Sequence, residues 1–103
     1  MNVVYMAGPI TGVKDYWRPF CEAKFELTRR YIKVLDPTTL PEGMTTQQYM
    51  RVCLAMVDDA DAVLMLPGWE NSNGATIEAM YAKYIGKPVF KSVEELKSAL
   101  LLT

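Results

Sequence analysis

Short apolar runs alternate with amphipathic stretches along the whole chain, and the order they predict is βαβαβαβα. Val3-Val4-Tyr5-Met6 is apolar and partly β-branched, and Ala7-Gly8-Pro9 halts it, which marks a first strand. From Tyr16 to Arg30 the residues Trp17, Phe20, Cys21, Phe25 and Leu27 fall on one helical arc, opposite Arg18, Glu22, Glu26 and Arg29. Asp15 is placed to cap that helix, and Pro19 is tolerated in its first turn. Tyr31 to Leu35 reads as a second strand, closed by Asp36-Pro37 and a polar loop to Gly43.

Thr45 and Gln48 have the spacing of a capping box and open a second helix, in which Tyr49, Cys53, Met56, Val57 and Ala60 share a face. Ala62-Val63-Leu64-Met65-Leu66 is apolar without alternation, as expected of a central strand covered on both sides, and Pro67-Gly68 ends it. Ser72 or Asn73 caps a third helix with an apolar stripe of Ile77, Met80, Tyr81 and Tyr84, Lys83 in the last turn and Gly86 as terminator. Pro88-Val89-Phe90 is a brief fourth strand. Ser92 and Glu95 open a final helix through Leu100 with a second capping box.

Strands joined by single helices require right-handed crossovers, hence a parallel α/β sheet with helices on both faces and ligands beyond the carboxyl ends of the strands. The 103 residues, half of them apolar, make one domain spanning 1–103. With 11 basic against 12 acidic residues and no run of like charge, neither nucleic acid nor an anionic membrane is the expected partner, which leaves small molecules and proteins. No signal peptide and no apolar stretch long enough to cross a bilayer is evident, so Cys21 and Cys53 are expected to be reduced thiols in the cytoplasm. The chain has no histidine, which removes Ser-His-Asp and Cys-His catalysis and the usual zinc sites. Neither a metal nor a cofactor is expected.

Three loops lie at the ligand end of such a sheet: Ala7 to Gly12, Asp36 to Gly43 and Pro67 to Gly74. No G-x-G-x-x-G and no G-K-S/T is present, so neither a dinucleotide fingerprint nor a Walker loop is expected there. Gly8, Gly12 and Gly74 permit close approach of backbone to ligand, and the start of the third helix offers amides to an anion. Glu78 shares a helix face with Ala75, Ala82 and Ile85. It reads either as a nucleophilic or charge-stabilising carboxylate kept ionised by the helix N-terminus, or as a surface carboxylate pairing with Lys83 or Lys87. Asp58, Asp59 and Asp61 suit a solvated helix-to-strand turn, with Asp61 bonding nearby backbone amides. Cys53 is expected to pack among apolar neighbours, and Tyr5 and Trp69 either stack a base or sugar at the cleft mouth or belong to the core.

Taken in order, Tyr5-Met6-Ala7-Gly8-Pro9-Ile10-Thr11-Gly12, Asp61-Ala62-Val63 and Pro67-Gly68-Trp69-x-x-Ser72-x-Gly74-Ala75-x-x-Glu78-x-x-x-Ala82 resemble the nucleoside 2-deoxyribosyltransferase-like family, most closely its small, often phage-encoded branch. The resemblance implies a flavodoxin- or Rossmann-like three-layer sandwich with a four- to five-stranded parallel sheet. It implies a carboxylate that attacks C1′ of a 2′-deoxyribonucleoside or its 5′-phosphate, expels the base and passes the sugar to another base or to water. Glu78 stands at the nucleophile's position and Tyr5 at that of the tyrosine that orients it. Gly8, Pro9 and Ile10 match the loop bordering the sugar, and Asp36, Trp69, Ser72 and Gly74 complete the implied substrate contacts.

At Ser72, relatives acting on free nucleosides tend to carry Asp and nucleotide hydrolases Ser, but the Ser-x-Arg-Gly of phosphate-binding relatives is replaced by Pro9-Ile10-Thr11-Gly12. Cys53 occupies a position where many relatives have an Asp that helps protonate the leaving base. A nucleoside or nucleotide is therefore the expected partner, in a homodimer or larger homo-oligomer built on the stripe of the third helix. The alternative is a non-catalytic protein that binds or sequesters a nucleotide in the same cleft.

Overall fold

Alternation of side chains on two central strands decides the architecture of the computed structural model, which describes residues 1–101. On β1 (Val3–Ala7), Val4 and Met6 face one side and Tyr5 and Ala7 the other. On β3 (Ala62–Met65), Ala62 and Leu64 oppose Val63 and Met65, and all of these are at most 1% exposed. A strand with no exposed face must be covered by helices on both sides. One layer consists of α1 (Trp17–Thr28) and α4 (Val93–Leu101), which deliver Phe20, Ala23, Leu27 and Leu96. The other consists of α2 (Thr46–Asp59) and α3 (Asn73–Tyr84), which deliver Cys53, Val57, Ala75, Ala79 and Ala82.

The remaining strands, β2 (Lys33–Leu35) and β4 (Val89–Phe90), are short edges of a four-stranded sheet in the order β2-β1-β3-β4, with every pairing parallel. The chain leaves β1 toward β2 by way of α1 and returns to β3 by way of α2 on the opposite face. A crevice is thereby left at the carboxyl ends of β1 and β3, where the winding reverses. Among the described residues there is no fifth strand, and no helix is long and apolar enough to cross a membrane.

Caps and turns fix the ends of these elements. Thr45 and Gln48 form the expected reciprocal capping box on α2. The Asp61 carboxylate accepts from the amides of Asn2 and Val3 at 2.8 and 2.9 Å, which holds its pKa below the usual range and clamps the start of β1 against β3. Ser92 Oγ caps α4 through the Glu95 amide at 3.1 Å, while the Glu95 carboxylate reaches the Lys91 amide, one residue earlier than a capping box requires.

The first helix departs from expectation. Asp15 does not cap it with its side chain: Asp15 adopts a positive φ of 55° and Tyr16 is the capping residue. Its buried face is Phe20, Ala23 and Leu27, because the small Ala23 lets the backbone approach the sheet. Trp17, Cys21 and Phe25 lie a quarter turn away in solvent, with Arg18 and Arg29 guanidinium groups 5.5 and 5.6 Å from the Trp17 and Phe25 rings. The second strand begins at Lys33 and not Tyr31, since Tyr31 is left-handed (φ 62°) and ends the helix in the open. On α3, Ile77, Met80 and Tyr84 face outward, while Tyr81 packs inward and donates to Asp58 Oδ1 at 2.7 Å.

Candidate functional site

The crevice is an open cleft of about 780 Å³. Its walls come from the loop after β1 (Gly8 to Thr11), the turn after β2 (Pro37, Thr38 and Leu40), one face of α2 (Tyr49, Met50 and Cys53) and the segment from Gly68 into the first turns of α3. At its floor the Tyr5 hydroxyl, carried on β1, donates to Glu78 Oε1 on α3 at 2.9 Å, and this bond is buried.

Glu78 is 7% exposed, the one charged side chain in the buried core of the described residues. Burial raises its pKa to about 7, although the Tyr5 phenol and the neighbouring Cys53 thiol both act to lower it. The expected ionisation by the helix N-terminus is therefore outweighed. Glu78 is in the second turn of α3, beyond the strongest part of the dipole, and its carboxyl is divided between neutral and ionised forms near neutral pH. The surface pairing with Lys83 or Lys87 is not seen either: Glu78 is buried and in none of the ion pairs among the described residues, and Lys87 Nζ donates to the carbonyls of Asp58 and Ala60 at 3.0 and 2.7 Å.

Cys53 is not in the purely apolar setting expected of it. It lines the cleft beside Tyr5 and Glu78, and burial, the largest influence, pushes its thiol upward so that it stays protonated. Burial and then the Glu78 charge also hold the Tyr5 phenol well above its usual range, which keeps it a donor. The floor thus assembles a carboxylate with an ionisation midpoint near neutrality and two groups that retain their protons. Such a carboxylate can attack an electrophilic carbon or accept a hydrogen bond from a ligand hydroxyl. Tyr5→Phe preserves the buried ring and removes the donor, so the Glu78 titration midpoint is expected to rise by about 1 pH unit. Carbon-13 NMR of the labelled carboxyl checks this, and an unmoved midpoint would contradict the assigned bond.

Of the residues expected to hold substrate, Gly8, Pro9, Ile10, Ser72 and Gly74 line the cleft, and Asp36 and Trp69 do not. Asp36 Oδ1 accepts from the Thr38 amide and hydroxyl at 2.9 and 2.6 Å, which caps the short turn Pro37–Thr39 and commits the carboxylate to its own loop. Trp69 packs against the core cluster of Tyr5, Val63 and Met65. Ser72 Oγ caps α3 through the Ala75 amide at 3.2 Å. At Gly8 a Cβ would stand 3.0 Å from Leu66 Cβ, so the packing beyond β1 and β3 favours glycine there and any larger residue forces Leu66 to shift, whatever occupies the cleft.

Several lining residues were not singled out for the site by sequence reasoning: Tyr16, Glu42, Thr46, Tyr49, Met50 and Asn71. Tyr49 carries a recoverable signal, since it follows directly on the capping box of a helix that starts at the ligand end. Its hydroxyl donates to the Pro41 carbonyl at 2.6 Å and accepts from the Met44 amide at 3.3 Å, pinning the loop at the cleft's edge. No group of His, Cys, Asp and Glu side chains suited to a metal ion exists among the described residues.

Residues 2–91 match the model of a family described as a domain of unknown function, DUF4406. No curated protein matches the chain. Among solved structures it is similar to a 2-desoxiribosyltransferase from Leishmania mexicana, with a TM-score of 0.69 and 19% identity over 86% of this chain. The match covers 62% of that structure's own length. At that identity the likeness is one of fold: a parallel α/β sheet layered between helices, as the strand pattern implies.

Proposed function

The chain belongs to the DUF4406 family, and from that premise and the floor of its cleft we propose N-glycosidic chemistry on a nucleoside or nucleotide. The observation that carries the reading is the buried Glu78 carboxylate held by the Tyr5 hydroxyl at 2.9 Å in an open cleft. In its ionised form, Glu78 attacks C1′ of a 2′-deoxyribonucleoside. The C1′–N bond breaks, the base leaves with the bonding pair and takes up a proton from solvent water in the open cleft, and the sugar stays esterified to Glu78. A second base, or water, then attacks C1′, gives up a proton to solvent and frees the carboxylate. Tyr5 keeps one carboxylate oxygen engaged and the other oriented.

Similarity to the Leishmania 2-desoxiribosyltransferase and the motif resemblance around Glu78 both support this reading. Since the attacking form is the anion, turnover is expected to rise with pH through about 7. The test is chromatographic. The protein is incubated with 2′-deoxynucleosides or their 5′-monophosphates and a free acceptor base, alongside a Glu78→Ala control. Base release or exchange that the control lacks is expected, and silence of the unaltered protein across the panel would refute glycosyl chemistry.

A second reading draws on Cys53, whose thiol stays protonated where relatives place an aspartate that protonates the leaving base. Here the cleft binds the nucleoside or nucleotide without cleaving it, and Glu78 bonds a sugar hydroxyl. A ligand-induced rise in melting temperature without base release identifies this case. We also propose a homodimer or larger homo-oligomer, which the outward Ile77, Met80 and Tyr84 of α3 support.

A further inference from the structure

Resting on the nucleoside reading of the cleft, we infer that its ligand is the uncharged nucleoside and that a 5′-phosphate is excluded by the charge of the walls. The charged side chains lining the cleft are both carboxylates, Glu78 at the floor and Glu42 on the loop that leads into α2. The rest of the lining is neutral. Among the described residues no Lys or Arg contributes to it, and the chain has no histidine. Cations do lie close in sequence. Lys14 and Arg18 flank Tyr16, and Arg51 follows Met50, yet all three are exposed and stay out of the lining. The lining therefore carries Glu42 and the ionised fraction of Glu78 near neutral pH, with no cation among the lining residues to compensate them.

The start of α3 does not reverse this. Its Ala75 amide is taken by Ser72 Oγ at 3.2 Å, and its Thr76 amide by the Ser72 carbonyl at 3.0 Å. Ser72, whose identity alone points toward a nucleotide, serves as a helix cap with a single hydroxyl hydrogen left to donate. One hydroxyl and the amides that precede Ala75 suit a neutral 5′-hydroxyl. A phosphate monoester carries close to two negative charges near neutral pH and would face Glu42 and a partly ionised Glu78, with no cation among the lining residues to pair with. The hydroxyl and amide side chains of Thr11, Tyr16, Thr46 and Asn71 fit the same neutral, polyhydroxylated ligand.

Binding of 2′-deoxynucleosides and of the matching 5′-monophosphates is measured by thermal shift and calorimetry at low and high salt, on the intact chain and on Glu42→Lys. Base release is followed in parallel. Nucleosides are expected to bind about tenfold or more tightly than their monophosphates. The gap is expected to narrow as salt screens the carboxylates, and to narrow again in Glu42→Lys. Monophosphates that bind as tightly as nucleosides, or more tightly, overturn the inference while leaving the nucleoside reading intact. If neither series binds and no base is released, the nucleoside reading falls and takes the inference with it.

Discussion

Glu78→Gln is expected to abolish base exchange and to make the protein more stable above about pH 7. Glutamine is nearly isosteric and its amide oxygen still accepts from Tyr5, so the floor keeps its shape while losing the proposed nucleophile. A drop in turnover of about 10⁴-fold or more follows. The stability gain comes from the difference between the folded value of about 7 and the ordinary 4.5 of an exposed glutamate. A raised folded pKa means that the unfolded chain releases its proton first. Below 4.5 the carboxyl is neutral in both states and burial is not penalised. Between 4.5 and about 7 the native state is progressively disfavoured, and above that range it bears a penalty of about 3 kcal/mol. Glutamine has no proton to lose. Urea denaturation of both proteins across this pH range should give curves that separate as pH rises and then run parallel. A constant gap at all pH values would show that Glu78 is not the buried, reluctantly ionised group described above. Opposite movements of stability and activity are the signature of a site held against its folding preference.

Phe20→Ala is expected to destabilise the fold by about 3–5 kcal/mol, enough to lower Tm by about 15 °C or more. Phe20 is 1% exposed and lies among Val4, Met6 and Leu66, with its Cζ close to Gly8 at the root of the cleft. A domain of this size holds about 5–15 kcal/mol in total, so the loss is a large share of its stability. Phe25→Ala, on the same helix, removes a ring that is 64% exposed and is expected to change stability by no more than about 0.5 kcal/mol. Calorimetry on the two variants reads the contrast directly. Equal effects would mean that α1 docks on the face inferred from its sequence and not on the one observed.

That contrast marks where sequence patterning loses its grip. The unbroken apolar run from Ala62 announces a strand covered on both faces, and Thr45, Ser72 and Asp61 are legible because their partners lie nearby or are backbone amides of a strand start. The buried arc of α1 was legible only in part: Phe20 and Leu27 lie on the expected arc, but Ala23 completes it in place of Trp17, Cys21 and Phe25. Phe20, Ala23 and Leu27 form it only because an alanine permits close approach, and hydrophobicity alone draws attention to Trp17 and Phe25. At the site, Glu78 stands out from its helix face and Tyr5 from its loop position, while their pairing came through the resemblance. The loss of Asp36 to its own turn, the inward packing of Trp69 and the meeting of Cys53 with Glu78 depend on side-chain placement that no spacing encodes.

The hydrogen bond at the floor of the cleft also joins residues 73 apart in a sheet whose first strand ends in the interior, between β2 and β3. Everything the chain makes early must wait for what it makes late: β1 has no second neighbour until β3 exists, and the Tyr5 hydroxyl has no carboxylate until α3 docks. Long loops of this kind are slow to close. A nascent or refolding chain therefore gains helical content well before it gains a floor to its cleft. The proposed chemistry is thus tied to completed topology: a half-assembled copy lacks the Tyr5–Glu78 pair on which that chemistry rests.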